Sequence, residues 1–437
     1  MKKTLLNLFL LLNLGIICYF WWANSGTMLF DNQSEAFISV ARITGLLSVF
    51  SVLIQLLLIG RVKWIERSYG FDKLSYAHRL SAFLTIFFVF AHGFFVIFGY
   101  AIGGQISFLN QTLNFIKYWE LLPAIVSVFI FTFVFVSSLV IVFKKLKYET
   151  WYLVHLFSYL AILLAFEHQM EIGGDFYKNT VFQAYWALLY TFTFVNLFFY
   201  RFFLPAYSFY KHQFEISKIE TELNGTISIY ISGKNLENFK YTAGQFAIWR
   251  FLDKKRFLQA HPFSFSSSPQ DKLLRVTIKN LGDFTSDIVN IKVGTKVVID
   301  GPHGIFTTKR TNNKKLAFIA GGVGITPIQS ILKSLDENYE SIVFNCHHTT
   351  QDTIFQKEQK QFSEKNVKMI HVLSKENNGL DEHGYMDEEK IKKYVPDYLE
   401  RDFYICGPKP MLKIVTKALK KLGIQKSKIY FEKFTLG

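Results

Sequence analysis

Six long apolar stretches before about residue 204 constrain the fold of this chain more than any other feature. A helix needs about 20 residues to cross a bilayer at 1.5 Å rise per residue. The sequence therefore predicts six membrane-spanning helices, near residues 4–23, 36–59, 78–100, 121–143, 151–169 and 181–203. The first stretch follows a Met-Lys-Lys start typical of a secretory signal, but its length and its aromatic belt at 19–22 favour a retained helix.

Basic residues in the loops predict how these helices are oriented. They cluster in the loops on one side, and the positive-inside rule assigns that side to the cytoplasm. The opposite loops, around 31–35, 103–119 and 169–179, carry few basic residues. We therefore expect an integral protein of the cell membrane with both chain ends in the cytoplasm. The basic residues on the predicted cytoplasmic side are Lys2, Lys3, Arg61, Lys63, Arg67, Lys73, Arg79, Lys144, Lys145, Lys147 and Arg201.

Charge and cysteine content narrow the class of protein further. The formal net charge is +15, but no basic run is interleaved with aromatic residues, so nucleic-acid binding is not predicted. The partner that this composition indicates is the lipid bilayer. Cys18, Cys346 and Cys406 form no C-x-x-C pair, which argues against a zinc site, a disulfide framework or a four-thiolate iron–sulfur cluster. Any iron must therefore be held as haem or through histidine.

Four histidines lie within the predicted membrane helices, where a polar ring is costly and usually functional. His78 and His92 lie on the third helix, and His155 and His168 on the fifth. Helix direction places His78 at the depth of His155, and His92 at the depth of His168. Two facing imidazoles provide the axial ligands of a haem iron, so the sequence predicts two stacked haems. The alternative is that the four rings only form hydrogen bonds between packed helices.

The spacing on the fifth helix fits two stacked haems poorly. At about 100° per residue, the step from His78 to His92 returns to within about 40° of the same helix face. The step from His155 to His168 is one residue shorter and misses that face by about 140°. We therefore expect local overwinding, a kink or a reaching side chain in the fifth helix.

After Pro205 the pattern changes to short alternating strands, such as TISIYIS (226–232), which predict a small antiparallel β-barrel. HPFSFSSSP (261–269) is suited to line the polar edge of an isoalloxazine ring, and KNLGDFTSDI (279–288) to approach a pyrophosphate. A tight turn is the alternative for either string alone. The candidate flavin-binding residues are His261, Pro262, Phe263, Ser264, Gly282, Phe284 and Thr285.

From about residue 314, strands alternate with helices, which predicts an α/β nucleotide-binding domain with a mostly parallel sheet. The glycine loop in AFIAGGVGITPIQSIL (317–332) allows phosphates to sit against helix N-terminal amides. ICGPKPM (405–411) follows another strand at the same ligand-binding edge, although a buried inert cysteine is the alternative for Cys406. The candidate nicotinamide-binding residues are Gly321, Gly322, Gly324, Thr326, Pro327, Cys406, Gly407 and Pro408.

The order of HPFSFSSSP, LGDFTS, GGVGITP, CGP and a terminal aromatic residue resembles the ferredoxin-NADP reductase superfamily. The paired membrane histidines narrow the resemblance to the ferric reductase and NADPH oxidase family. We accordingly predict a six-helix transmembrane di-haem domain (1–208), a FAD-binding β-barrel (209–310) and a NAD(P)H-binding α/β domain (311–437). The resemblance implies that His78 with His155 ligates an inner b-type haem and His92 with His168 an outer one. It also implies that NADPH or NADH supplies the electrons and that FAD passes them to the haems.

The resemblance also suggests catalytic residues. Arg42 is similar to the family's arginine beside the outer haem, where oxygen is reduced, and a solvated arginine at a helix end is its alternative. Cys406 lies beside the nicotinamide crevice, and Phe434 is placed to cover the flavin until nicotinamide displaces it. Val96, one turn past His92, departs from the oxidases, which carry a further histidine there.

The final acceptor is expected to be oxygen, giving superoxide, with a ferric or cupric chelate as the alternative. The intact glycine loops argue against a non-enzymatic carrier that has lost its cofactors. The sequence indicates no obligatory protein partner. NADPH and NADH stay undecided, because CHHTTQDT (346–353) lacks an arginine for a ribose 2′-phosphate and leaves only His347, His348 or Lys357 to bind one.

Overall fold

The computed structural model describes residues 3–142, 148–177, 179–362 and 366–433. These residues form two compact units, whose main boundary along the chain lies between Arg201 and Phe202. The first unit is helical. The second combines an antiparallel barrel with a parallel α/β domain.

Within the described residues, six helices are long and apolar enough to cross a membrane, which confirms the six predicted spans. Their ends differ from the predicted ones by up to seven residues. The long helices are α1, α2, α4, α6, α7 and α9. In chain order the first unit contains α1 (Lys3–Ser25), α2 (Gln33–Ile59), α3 (Lys63–Tyr69), α4 (Phe71–Gly103), α5 (Phe108–Lys117), α6 (Leu122–Val142), α7 (Tyr148–Ile172), α8 (Gly174–Tyr177) and α9 (Thr180–Phe198).

The surface of the helical unit fits a lipid environment. Phe87, Phe133 and Leu188, on three different helices, are each at least 60% exposed. Large apolar side chains exposed over a wide surface are costly in water, whereas hydrocarbon solvates them well. The side chains of Phe182 and Trp186 are fully buried, and their helix α9 packs against α2. The unit therefore has an ordinary protein core and an apolar exterior.

Helix α7 is a continuous α-helix from Tyr148 to Ile172, with no 3₁₀ or π turn. Overwinding into a 3₁₀ turn, one of the three expected accommodations, is therefore wrong, and the angular offset between His155 and His168 is left to a kink or to reaching side chains. His78 and His155 also lie about two turns inside their helices rather than at the helix starts.

The second unit begins with an antiparallel barrel, as predicted. After α10 (Leu204–His212), two three-stranded sheets of the described residues have the orders β1-β2-β5 and β4-β3-β6. Alternate side chains such as Ile229, Trp249 and Phe265 are fully buried between them. The elements are β1 (Glu215–Thr221), β2 (Thr226–Ser232), β3 (Phe246–Phe251), β4 (His261–Ser264), β5 (Leu274–Lys279), α11 (Asp283–Asp287) and β6 (Val297–His303).

The remaining strands form a parallel sheet, which confirms the predicted α/β domain. Its order, β10-β9-β8-β7-β11-β12, runs outward from β7 in both directions. Ligands of such sheets bind at the carboxyl ends of the strands where the order reverses, here between β7 and β11. The elements are β7 (Lys315–Gly321), α12 (Ile325–Ser334), β8 (Glu340–His347), α13 (Gln356–Gln361), β9 (Val367–Leu373), β10 (Glu382–His383), α14 (Glu388–Tyr394), β11 (Asp402–Gly407), α15 (Lys409–Lys421) and β12 (Ile429–Lys433).

A buried ion pair joins the barrel to the α/β domain. Arg275 on β5, with a side chain only 3% exposed, donates to Glu358 on α13 at 2.5 Å. Burial alone would raise the pKa of Glu358, but its hydrogen bonds from Arg275 hold that pKa below its usual value. Nearby, the Ser330 hydroxyl of α12 donates to the Ser267 carbonyl at 2.6 Å. The two domains are thus fastened by polar contacts where they meet.

We predict that Glu358→Gln destabilises the second unit by about 3 kcal/mol, because it leaves the buried Arg275 guanidinium without its carboxylate. Thermal unfolding of the full chain, followed by flavin fluorescence, measures this loss. The matched control is Glu215→Gln, since Glu215 pairs with Lys296 on the surface of the same barrel and both side chains are at least 40% exposed. Such a pair contributes about 1 kcal/mol at most. Equal falls in melting temperature would contradict the prediction.

Candidate functional sites

The structure brings the four membrane histidines together as two pairs between α4 and α7. The ring centroids of His78 and His155 are 6.1 Å apart, and those of His92 and His168 are 6.3 Å apart. Two metal–imidazole bonds of about 2 Å each, plus the distance from each bonding nitrogen to its ring centre, give a separation of about 6 Å. Both pairs therefore have the spacing of two imidazoles on opposite sides of one iron.

Backbone carbonyls of α2 fix the two rings on α4. His92 Nδ1 lies 2.8 Å from the Ala41 carbonyl oxygen, and His78 Nδ1 lies 3.3 Å from that of Gln55. A carbonyl oxygen only accepts, so each Nδ1 must carry the proton and each Nε2 the lone pair. Metal-binding histidines are held in this way, with one ring nitrogen donating to a carbonyl and the other free for the metal.

The rings on α7 have no such anchor. The Nδ1 atoms of His155 and His168 are buried and have no hydrogen-bond partner within the described residues. Buried polar atoms normally have a hydrogen-bond partner. These two rings have none among the described protein atoms, which suits rings that hold a bound group. The described residues contain no cluster of three or more His, Cys, Asp or Glu side chains suited to a metal ion. A haem needs only two protein ligands, and these residues fit one at each pair.

A cavity of about 180 Å³ opens beside His92 and His168. Small residues make this space, and a Cβ added at Gly93 would meet no atom within 4 Å. At Gly45 the situation is reversed, since a Cβ there would lie 2.8 Å from Nδ1 of His92. Gly45 therefore allows the His92 ring to reach the Ala41 carbonyl, a role that no sequence motif had indicated.

Arg42 lines the same cavity, but it is not the solvated arginine considered from the sequence. Its Nη1 donates to the Ser25 hydroxyl at 2.6 Å and to Asp175 Oδ1 at 3.3 Å. The Ser25 hydroxyl itself donates to Asp175, whose side chain is 4% exposed. Gly174 makes room, because a Cβ there would lie 2.7 Å from Arg42 Nη2. Burial raises the pKa of the Asp175 carboxyl, while its bonds to Ser25 and Arg42 oppose that shift.

The two predicted flavin strings meet in the barrel. The rings of His261 and Phe284 stack with centroids 3.9 Å apart, so the HPFS strand and the LGDFTS loop are neighbours. Ser264 is 4% exposed, and Pro262 is paired with Ile248 of β3. The Phe263 carbonyl accepts a hydrogen bond from Trp249 Nε1 at 2.8 Å, so this carbonyl already has a partner within the barrel.

The hydroxyl of Thr285, a candidate flavin-binding residue, is engaged within its own loop. Its oxygen accepts from the amides of Leu281 and Gly282, each at 2.8 Å, and its O–H donates to the Gly282 carbonyl at 3.0 Å. A Cβ at Gly282 would meet no atom within 4 Å. Thr285 therefore shapes the loop, and the space at Gly282 remains open to a ligand.

The glycine loop and the CGP string also meet, at the carboxyl ends of β7 and β11. A Cβ at Gly324 would lie 2.1 Å from the Cys406 carbonyl oxygen, and one at Gly407 would lie 3.1 Å from the Gly321 backbone. Neither loop has room for a side chain at these positions. The packed glycines bring Pro408, at the start of α15, beside the glycine loop. In α12, Pro327 and Thr326 are buried in the first turn, and the Thr326 hydroxyl donates to the Val323 carbonyl at 2.9 Å.

Cys406 itself is fully buried among Phe318, Ala320 and Tyr404. Burial raises the pKa of its thiol well above the ordinary value, so the neutral thiol is the stable form. The residue is therefore suited to packing and to shaping the crevice, not to nucleophilic attack. Phe434 lies outside the described residues.

Comparison with known families agrees with this architecture. The family model "Ferric reductase like transmembrane component" matches residues 44–166, "FAD-binding domain" matches 212–307, and "Oxidoreductase NAD-binding domain" matches 318–417. The fold and sites thus define a membrane protein that carries the flavin and nicotinamide domains of an oxidoreductase. More particularly, the chain has the domain architecture of the ferric reductases and NADPH oxidases.

Individual relatives match parts of the chain. It is 28% identical to the flavohemoprotein of Oceanobacillus iheyensis, over 51% of this chain and 58% of that protein. It is 29% identical to the glycine betaine monooxygenase reductase subunit of Chromohalobacter salexigens, over 45% of this chain and 56% of that one. The chain thus spans less than two thirds of the length of either. The FAD/NAD-binding domain of nitric oxide dioxygenase from Vibrio cholerae has 22% identity and a TM-score of 0.45, with 50% of this chain and 97% of that one covered.

We predict that Gly45→Ala weakens binding of the haem that the His92–His168 pair would hold, because the new methyl group would displace the His92 ring from the Ala41 carbonyl. Haem per chain, measured by the pyridine haemochrome assay, should fall below the parent value. The matched control is Gly15→Ala in α1, where a Cβ meets no atom within 4 Å. Parent-like haem content in both variants would show that the position of His92 does not depend on Gly45.

Proposed function

We propose that this chain transfers electrons from NAD(P)H through FAD and two b-type haems to an acceptor on the other side of a membrane, with dioxygen reduced to superoxide. The observation that carries the proposal is the pair of imidazole–imidazole separations, 6.1 and 6.3 Å, inside membrane-spanning helices. When bound, nicotinamide supplies hydride, FAD converts it to single electrons, and haem iron carries these one at a time. The protein's own part is to bind, orient and shield these groups.

Each predicted residue then has a structural role. His78 with His155 holds the haem on the donor side, and His92 with His168 the haem on the acceptor side. The α2 carbonyls keep Nδ1 protonated in His78 and His92, which leaves Nε2 free to bind iron. A ligand fixed in this way also keeps its orientation when the iron changes charge.

The same proposal assigns the rest of the chain. Residues 1–208 form the transmembrane di-haem domain, 209–310 the FAD-binding domain and 311–437 the NAD(P)H-binding domain. His261, Ser264 and the open loop at Gly282 bind the flavin. The glycine loop with Cys406 and Gly407 shapes the nicotinamide crevice. The positive-inside rule supports a cytoplasmic location for the reductase domains and both chain ends.

Dioxygen is favoured as the acceptor by the surroundings of the His92–His168 pair. The haem held there would take up the cavity of about 180 Å³, and much of the lining around it is apolar. Arg42 in that lining is partly neutralised by Asp175. A chelate carrying several charges would lose its hydration in such a space without gaining an unpaired opposite charge. The ferric- or cupric-chelate alternative is supported by the "Ferric reductase like" family model and by Val96.

We predict two b-type haems per chain. The pyridine haemochrome assay on the purified full chain should give this ratio, and one haem or none would contradict the proposal. Replacing His78 or His155 with alanine should remove one haem and prevent reduction of the other by NAD(P)H. Replacing His92 or His168 should leave both the flavin and the remaining haem reducible. Equal loss of flavin reduction in all four variants would argue against this pathway.

We predict opposite effects at the two members of the Arg42–Asp175 pair. Arg42→Gln should slow reoxidation of the dithionite-reduced protein by oxygen about tenfold, because a positive charge stabilises the superoxide that forms. Asp175→Asn leaves that charge unopposed and should raise the rate. Stopped-flow absorbance, with oxygen and then a ferric chelate, measures both variants. If both substitutions slow the reaction equally, the pair serves only to hold α8 in place.

A further inference from the structure

The ends of β8 and β9 form one edge of the parallel sheet. The contacts at this edge support a further inference, which rests on the proposed function. In a doubly wound sheet the pyrophosphate of a dinucleotide lies at the glycine loop after the first strand, here β7. The adenosine ribose then lies at the end of the next strand, β8, about 20 residues along the chain. β8 ends at His347, and the residues from there to Thr350 form this edge.

Glu376 is held at that edge. Its carboxylate accepts from the Thr350 amide at 2.7 Å and from the Thr350 hydroxyl at 3.1 Å. The chain around it is attached to the same segment, because the amides of Ser374 and Lys375 donate to the carbonyls of His347 and His348, each at 2.9 Å. The carboxylate is thus fixed at the end of β8, although it comes from the loop after β9.

Little fixed positive charge offsets this carboxylate. The sequence has no arginine between Arg310 and Arg401. The nearby Lys279 already pairs with Asp352 at 3.1 Å. Lys357 and Lys375 are exposed, and lysine ammonium groups there remain strongly hydrated.

His347 adds neutral hydrogen-bonding capacity rather than charge. It is only 5% exposed, and neither ring nitrogen has a partner within the described part of the chain. Burial lowers its pKa to about 4, so the ring is neutral at physiological pH. A neutral ring at the same sheet edge as a carboxylate suits a sugar diol, which both donates and accepts hydrogen bonds. It does not suit a phosphate dianion.

We propose that this edge selects NADH over NADPH, with Glu376 as the specificity-determining residue. A carboxylate has about four acceptor positions, so Glu376 can accept from a ribose hydroxyl in addition to Thr350. A ribose 2′-phosphate offers no hydroxyl at that position and brings two further negative charges against a fixed one. NADH therefore gains a hydrogen bond where NADPH meets repulsion.

The test uses the full FAD-loaded chain in detergent without oxygen, with flavin bleaching followed by stopped flow. The parent should have an apparent Kd for NADH at least about tenfold below that for NADPH, and 5′-AMP should compete better than 2′,5′-ADP. Glu376→Gln keeps an acceptor for Thr350 but removes the charge, so it should reduce the NADH preference severalfold, mainly through tighter NADPH binding. Glu376→Arg should reverse it. The charge-matched control is Glu389→Gln on the exposed start of α14, which should leave the ratio unchanged.

The outcomes separate this inference from the proposed function. Equal or tighter binding of NADPH by the parent, or an unchanged ratio in Glu376→Gln, overturns the NADH preference alone. If neither nucleotide bleaches the flavin, the proposed function falls, and the inference with it. A preference for NADH over NADPH in flavin reduction, without later haem reduction, would support the inference and contradict the proposed electron path.

Discussion

The hydrogen bonds from His78 and His92 to carbonyl oxygens of α2 are the constraint on which the membrane unit depends. An imidazole in hydrocarbon costs free energy unless its polar atoms are engaged. A helical carbonyl already accepts one bond within its helix and has a second lone pair to offer. The second lone pair of each α2 carbonyl accepts from Nδ1 of a ring on α4 and holds that ring in place. The Nε2 atom of each ring is left unused. The close packing at Gly45 follows from this arrangement, because the ring can reach Ala41 only where the intervening residue has no side chain.

The second unit depends on close backbone packing in a comparable way. Gly324 and Gly407 let two loops meet at the carboxyl edge of the parallel sheet, at distances that exclude a Cβ. The barrel is fastened to that sheet by Arg275, whose guanidinium spans from β5 to Glu358 on α13. Removing water from such a pair is costly, so it contributes more to fixing the orientation of the two domains than to net stability. A crevice shared by flavin and nicotinamide requires that fixed orientation.

The sequence predicted elements better than contacts. Hydropathy revealed the six spans, and residue type with helix direction paired His78 with His155, because these signals are local. Helix phase indicated an angular mismatch on α7 but not how it is accommodated, since residue spacing carries no information on how far a side chain reaches. Asp175, the partner of Arg42, lies 133 residues away in the chain and has no motif. The backbone acceptors on α2 left no trace in the sequence at all. Thr285 has the expected hydroxyl, and that hydroxyl donates to the Gly282 carbonyl in its own loop.

Charge on the substrate links the two ends of the proposed electron path. At the sheet edge the Glu376 carboxylate is fixed by Thr350 near the end of β8, where His347 is neutral, so a ligand with an extra phosphate is penalised there. Beside the His92–His168 pair the surroundings are mostly apolar, and the charge of Arg42 is partly offset by Asp175. An uncharged gas approaches such surroundings without giving up strong hydration, whereas a charged chelate must do so. Selection at both ends therefore rests mainly on the desolvation and repulsion of the wrong substrate, and only secondarily on attraction of the right one.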